Sequence, residues 1–313
     1  MGTPDFARRP LEYLYKNTRH KVLAVVTGPD KPSGRGLKLV STPVKSKAME
    51  LNLPVFTPES LKDDSFIEAM KIIPADIFVV VAFRILPEAL FTIPPNGSIN
   101  LHGSLLPKYR GAAPINWAII NGETETGLTT FFLRKKVDTG SVIFQEKIQI
   151  GPEETFSELY ERMSELAGPV IERTLDLIES GKAETSHQDE RLATPAPKIT
   201  PFDCMIDWGF PSRNVVNFIR GMSSVPGAFT YMRGKKLKIF RAKAVIAEMG
   251  GKHRPGEVIK NKNRLTVVTA DGAVEITELL PEGKSVMSGE QFLRGYRLGE
   301  EEVFGERPKG NLE

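Results

Sequence analysis

The sequence predicts an α/β protein: a Rossmann-like, parallel-rich sheet with helices on both faces, followed by a small antiparallel β-barrel. Three observations carry this. Short β-rich runs alternate with segments of helical period through the first two-thirds of the chain, the pattern of strands joined by crossover helices. The run IFVVVAF at 77–83 is apolar without alternation, as a strand covered on both faces is. Beyond the proline-rich stretch TPAPKITP at 194–201, one helix is followed by short strands punctuated by glycine, the habit of a small barrel.

Taken in order, KVLAVVTG (21–28) reads as a buried strand that stops at Gly28-Pro29. KSKAMELN (45–52) has helical period, PVFTP (54–58) is a short strand, and SFIEAMKII (65–73) is a helix leading into the strand DIFVVVAF (76–83). GSINLHG (97–103) is a strand and APINWAIING (113–122) a helix. GLTTFFLR and SVIFQEKIQI are neighbouring strands around the loop KKVDTG (135–140). A helix over 155–180 opens with a capping box of Thr155 and Glu158 and carries apolar Phe156, Leu159, Met163, Leu166, Val170 and Ile171; Gly168-Pro169 is expected to divide it. Apolar period is lost over 183–200. These features place a first domain at 1–182, a linker at 183–207 and an OB-like barrel at 208–313. The barrel holds the helix SRNVVNFIRGM and the strands GAFTYMR, KKLKIFRAKAVI, PGEVIK, RLTVVTADG and AVEITELL.

With 313 residues, 40% hydrophobic and 26% charged, the chain can bury sizeable cores and is neither disordered nor of low complexity. Its longest strongly apolar run falls far short of the roughly 20 residues a membrane helix needs, and no secretory leader opens the sequence, so a cytoplasmic, membrane-free protein is expected. Cys204 is the only cysteine, which excludes an internal disulfide and a thiolate cluster. Charge is split: 18 Lys+Arg against 12 Asp+Glu from Trp208 onward, and 24 against 27 before it, so the basic excess lies in the C-terminal third. A solvated surface and a polyanion partner both fit that excess.

The stretch NLHGSLLPKYRGAAP (100–114) is the most informative. Asn100 and His102 flank Leu101, so in an extended segment both polar side chains share one face. They lie at the carboxyl end of a strand, where open α/β sheets bind ligands. Together with MGTPDFA, GRGLKL, PVKSKA and the VDTG loop, all in family order, this block makes the chain resemble the methionyl-tRNA formyltransferases, within the superfamily that takes formyl groups from 10-formyltetrahydrofolate. The resemblance extends over nearly the whole chain.

It implies a catalytic trio of Asn100, His102 and Asp138. When an amine attacks a formyl carbon, negative charge builds on the oxygen and positive charge on the nitrogen. Asn100 could donate to the oxyanion, a contact worth about 3 to 4 kcal/mol in the transition state. His102 could relay the proton, and Asp138 could orient the imidazole or take the proton. The bland alternative is a structural histidine and a turn aspartate. By resemblance the loop lines the folate and aminoacyl pocket, with Ser104, Leu105, Leu106 and Pro107 as candidates, while Tyr109 and Arg110 fit binding and loop packing equally. The GRG loop is expected to enter the acceptor end of the tRNA through Arg35, supported by Lys38 and Lys45. In KKLKIF, Lys236 and Lys238 share one strand face and Leu237 and Ile239 the other, a basic stripe that would track the tRNA.

The implied function is formylation of methionyl initiator tRNA by 10-formyltetrahydrofolate, in a monomer without a metal. Alternatives are formylation of a small amine such as a ribonucleotide or sugar nucleotide, and a catalytically idle RNA-binding module. Phe83-Arg84 departs from the family, replacing an expected tyrosine-glycine pair with one residue fewer. His20, His187 and His253 have no carboxylate or cysteine spacing around them and are expected at the surface. Finally, MGTPDFA follows a short apolar strand in the family, so Met1 falls at that strand's end and the resemblance implies about five further residues ahead of it.

Overall fold

The structure, a computed structural model, describes residues 1–33, 38–245, 253–261, 263–299 and 302–305. In chain order the elements are α1 (Asp5–Asn17), β1 (Val25–Val26), β2 (Lys31–Ser33), β3 (Lys38–Val40), α2 (Pro43–Glu50), β4 (Val55–Phe56), α3 (Asp64–Ile72), β5 (Phe78–Val81), α4 (Glu88–Phe91), β6 (Ser98–His102), β7 (Arg110–Gly111), α5 (Pro114–Ile120), β8 (Glu125–Phe132), β9 (Val142–Gln149) and α6 (Phe156–Glu179). There follow β10 (Pro195–Ala196), α7 (Ser212–Met222), β11 (Ala228–Met232), β12 (Lys235–Val245), β13 (Val258–Asn261), β14 (Arg264–Val268), β15 (Ala273–Pro281), β16 (Met287–Ser288) and α8 (Gly289–Gly295), with one short 3₁₀ turn ahead of β10 (Glu190–Leu192) and another between β10 and α7 (Pro201–Cys204). The chain forms two compact units, one of residues 1–114, 125–149 and 160–197, the other of 115–124, 150–159 and 198–313.

The first unit is the parallel-rich sheet. β5 pairs parallel with β6, and β6, β8 and β9 continue antiparallel. β1 pairs parallel with β4 in a separate two-stranded piece. Among the described residues, Met1 and Gly2 bridge the pieces: Gly2 N donates to Val26 O, and Met1 O accepts from Val81 N. The run 21–28, expected to be one strand, is therefore strand only at Val25–Val26. A strand is defined by a partner backbone as well as by its side chains, and 22–24 have no such partner among the described residues.

The helix over 156–179 is continuous through Gly168-Pro169, contrary to the expected break. A helical proline forfeits one backbone bond and crowds the preceding turn, yet packing retains the helix here. Gly168 lies so close to the Tyr13 ring that a Cβ there would stand 2.4 Å from it, and Ala167 and Ile171 are fully buried. The capping box of Thr155 and Glu158 forms as the sequence predicts, Glu158 accepting from Thr155 N at 2.8 Å.

The second unit is a curled antiparallel half-barrel in the order β11-β12-β15-β14-β13, with β16 on β15. Register irregularities around Arg241 bend β12. Leu237, Ile239, Val267 and Ile276 point into a core shared with Trp208, Val215 and Ile219 of α7, leaving the intervening lysines of β12 at the surface. Trp208 is wholly in that core, and its indole N–H finds Thr230 Oγ1 at 3.2 Å, which satisfies the one polar atom it brings.

Candidate active site

β6 is the middle of its sheet, flanked by β5 and β8, so its backbone is fixed on both sides. Alternation along it buries Ile99 and Leu101 and turns Asn100 and His102 to the opposite face. Asn100 is half-buried, and its amide has no hydrogen-bond partner among the described residues. His102 is 6% exposed. Its Nε2 lies 2.8 Å from the carbonyl oxygen of Tyr109. A carbonyl only accepts, so Nε2 carries the hydrogen and, in the neutral ring, Nδ1 holds the lone pair. Nδ1 faces Asp138 Oδ2 at 3.9 Å. Two lone pairs keep that distance apart, whereas a proton on Nδ1 would turn the contact into a charge-assisted hydrogen bond.

Asp138 reaches this place because β8 and β9 form a hairpin whose loop returns beside the end of β6. The residue is buried, and its backbone is left-handed (φ 53°), as is that of Tyr109 (φ 60°). Such conformations cost a non-glycine residue about 1 to 3 kcal/mol, offset here by specific bonds. Gly111 N donates to Asp138 Oδ2 at 3.1 Å, and Gln188 Nε2 donates to the carbonyls of Asp138 and Gly140, both at 2.9 Å. Arg110 donates to Gln188 Oε1 and pairs with Glu190, whose carboxyl is held down to about 2, chiefly by its bond from Arg110. β10 then pairs with β7, and a Cβ on Gly111 (φ 129°) would stand 2.5 Å from Ala196 O, so only glycine allows the approach. The segment 183–197 is thus built into the first unit, where it straps the loop.

The turn after His102 is held as tightly. Thr129 Oγ1 donates to Ser104 O at 2.6 Å and accepts from Leu106 N and Gln145 Nε2, which uses every position of the hydroxyl. Ser104 is fully buried with its hydroxyl on Lys108 O, and Leu106 packs with Phe131 and Val142. Of the four loop residues proposed for folate, these two face the interior, while Leu105 and Pro107 are half-buried. Thr129, Gln145 and Gln188 carry no sequence signal, because their partners are mainly backbone atoms remote in the chain.

The other candidates lie elsewhere. Arg35 falls outside the described residues; Lys38 is in β3, and its side chain is likewise not described. Lys45 is on α2, with Nζ bonded to Asp30 at 2.7 Å, which holds that carboxyl below its ordinary range. In the second unit Lys236 Nζ sits 3.7 Å above the centre of the Phe229 ring and Lys238 Nζ donates to Pro226 O. Both lysines are half-buried. Arg84 clamps the loop ahead of α3 through the carbonyls of Pro58 and Glu59, so the departure at 83–84 has a local structural role. Of the three histidines expected at the surface, His187 and His253 are exposed, but His20 is half-buried and its Nε2 is 3.1 Å from Asp176, an acid 156 positions away that spacing could not supply. Arg19 neutralises Asp176 and Glu179 beside it.

This arrangement, an amide and an imidazole on one strand face with a carboxylate brought up by a hairpin, suits acyl transfer to an amine. Sequence comparison bears out the class: the profile described as formyl transferase matches residues 1–175, and that of the formyl transferase C-terminal domain matches 198–297. The methionyl-tRNA formyltransferase of Porphyromonas gingivalis strain W83 is 46% identical over 307 residues, covering 95% of both chains, and that of Pelotomaculum thermopropionicum is 44% identical over 308, covering 98% of this chain and 97% of its own. The chain belongs to the methionyl-tRNA formyltransferases of the formyl transferase family. Among solved structures, WlaRD, a sugar 3N-formyl transferase crystallised with dTDP and 5-N-formyl-THF, superposes with a TM-score of 0.67 at 19% identity, covering 91% of this chain and 97% of that one. The methionyl-tRNA formyltransferase from Clostridium thermocellum superposes at 0.53 and 17% identity, covering 86% and 96%. At such identities they attest to the fold. No described helix is long and apolar enough to cross a membrane.

Proposed function

We propose that the chain transfers the formyl group of 10-formyltetrahydrofolate to the amino group of methionyl initiator tRNA, with Asn100, His102 and Asp138 as catalytic residues. The observation that carries this is the end of β6: an unpartnered amide two residues from an imidazole whose Nε2 is fixed, with a carboxylate facing its free nitrogen. The amino nitrogen attacks the formyl carbon, forming the C–N bond and placing charge on the oxygen, to which Asn100 donates. The ammonium gives a proton to Nδ1 of His102, and Asp138 stabilises the imidazolium. Collapse breaks the bond to N10 of the folate, which leaves as tetrahydrofolate after receiving a proton. The folate reading is supported by the neighbour crystallised with 5-N-formyl-THF, and the tRNA reading by full-length relatives of that name.

In this reading residues 1–182 carry the chemistry, 183–207 lead to the second domain with their first part, through Pro197, strapping the site loop, and 208–313 bind tRNA, with Leu105 and Pro107 of the loop toward the folate and Arg35, Lys38, Lys45, Lys236 and Lys238 toward phosphates. Ser104 and Leu106 shape the turn from within. The protein works in the cytoplasm as a monomer. The test is formylation of charged initiator tRNA against sugar-nucleotide and ribonucleotide amines, with tetrahydrofolate release measured in each. Formyl-methionyl-tRNA formed in step with tetrahydrofolate is expected; turnover with the small amines alone would overturn the reading.

A further inference from the structure

Arg110 is a residue whose sequence context fits substrate binding and loop packing equally, and its surroundings decide between the two. The side chain is 14% exposed. Nε and Nη2 donate to Gln188 Oε1 at 3.1 and 2.7 Å, while Nη1 and Nη2 donate to the two carboxylate oxygens of Glu190 at 3.1 and 2.8 Å. A planar fork engaged on both edges in this way is committed to the protein itself.

These bonds dictate how the Gln188 amide lies. A guanidinium only donates, so Oε1 must face it and the NH2 group is turned the other way. There the NH2 meets the carbonyls of Asp138 and Gly140, which only accept, both at 2.9 Å. The reversed amide would set N–H against N–H on one side and oxygen against two oxygens on the other. Arg110 therefore selects the one orientation that holds the Asp138 loop, through a charge-assisted bond.

The same neighbourhood grips the loop at two further points. Lys136 Nζ donates to Glu190 Oε2 at 3.4 Å, which ties Glu190, and Arg110 with it, to the loop two residues ahead of Asp138. Gly111 N, the next backbone group after Arg110, donates to Asp138 Oδ2 at 3.1 Å. The left-handed backbone of Asp138 (φ 53°) needs such bonds to persist. The main chain of Arg110 is held apart from its side chain, because Arg110 N donates to Thr194 O at 2.9 Å beside the pairing of β7 with β10. Loss of the guanidinium would thus leave the strap in place and free only the Gln188 amide and Glu190.

We propose that Arg110 is a positioning residue: its guanidinium sets the Gln188 amide, which fixes the turn at Asp138 and with it the carboxylate opposite Nδ1 of His102. The inference rests on the catalytic role given to Asp138 in the proposed function, and deepens it by adding a residue that touches neither the formyl donor nor the amine.

The experiment is single-turnover formylation of methionyl initiator tRNA by the intact chain, Arg110→Met, Arg110→Lys, Gln188→Ala and the double variant Arg110→Met with Gln188→Ala. The amplitude reports the folded, competent fraction and the rate constant reports the site, so a merely structural role would move the amplitude alone. Arg110→Met is expected to lower the rate constant on the order of tenfold, with tRNA affinity unchanged. Arg110→Lys, which keeps a donor for Oε1 but not the fork, should recover part of that loss. The double variant should be about as slow as the slower single one, because two residues acting in series are not additive. Losses that multiply in the double variant would overturn the proposal, as would equal rates for Arg110→Met and Arg110→Lys, or a salt-dependent loss of tRNA affinity in Arg110→Met that marks a phosphate contact. If the intact chain forms no formyl-methionyl-tRNA, the proposed acceptor fails instead, and the same cycle is read with the amine that does turn over.

Discussion

The end of β6 and the lysine face of β12 are both polar, but they are built by opposite means. His102 and Asp138 are under a tenth exposed and held by bonds to Tyr109, Gly111 and Gln188 that fix each atom. Lys236 and Lys238 are half-buried, one resting on the Phe229 ring and the other on a carbonyl, and neither head is enclosed. Chemistry at a carbon atom depends on position, whereas attraction for a polyanion depends on the sum of charges. The first kind of site should fail steeply on a single change, the second gradually.

The sharpest break is His102→Ala, expected to lower turnover by roughly 10² to 10⁴ with little change in tRNA binding; single-turnover formylation reads it directly. Asn100→Ala should cost about 10² to 10³ in kcat if its amide meets the oxyanion, and near-normal kcat would remove it from that role. Gln188→Ala tests position alone, because Gln188 holds the Asp138 loop through carbonyls. A loss on the order of tenfold in kcat is expected, with KM for tRNA unchanged and with partial rescue by Glu in place of Gln absent, since a carboxylate cannot donate. On the other side of the comparison, Lys236→Ala with Lys238→Ala should leave kcat intact, raise KM for tRNA a few-fold and lower the salt slope by about 2. A fall in kcat equal to that of Gln188→Ala would erase the distinction between the two regions.

How far each region can be read in advance follows the same division. Asn100 and His102 are legible because period-two alternation is a local rule, and the basic face of β12 is legible for the same reason. Asp138, 36 positions on from His102, enters only through the resemblance; the hairpin of β8 and β9 is the physical cause of its approach. Gln188 was hidden, since nothing in a stretch without apolar period announces that its amide will meet two carbonyls. The run 21–28 misled in an instructive way: residue preferences report what side chains tolerate, and pairing requires a neighbour. Gly168-Pro169 misled because tertiary packing outweighed a local penalty.

The pairing of β10 with β7 joins Pro195 to Arg110, residues separated by 85 positions. During synthesis the strand bearing Asn100 and His102 therefore leaves the ribosome well before the segment that clamps the Asp138 loop. Contacts of such long range are made late, after the loop between them has closed. A nascent chain halted near residue 180 would have its sheet residues in hand but no strap, so competence for catalysis should arise only once the segment through Ala196 is free of the exit tunnel.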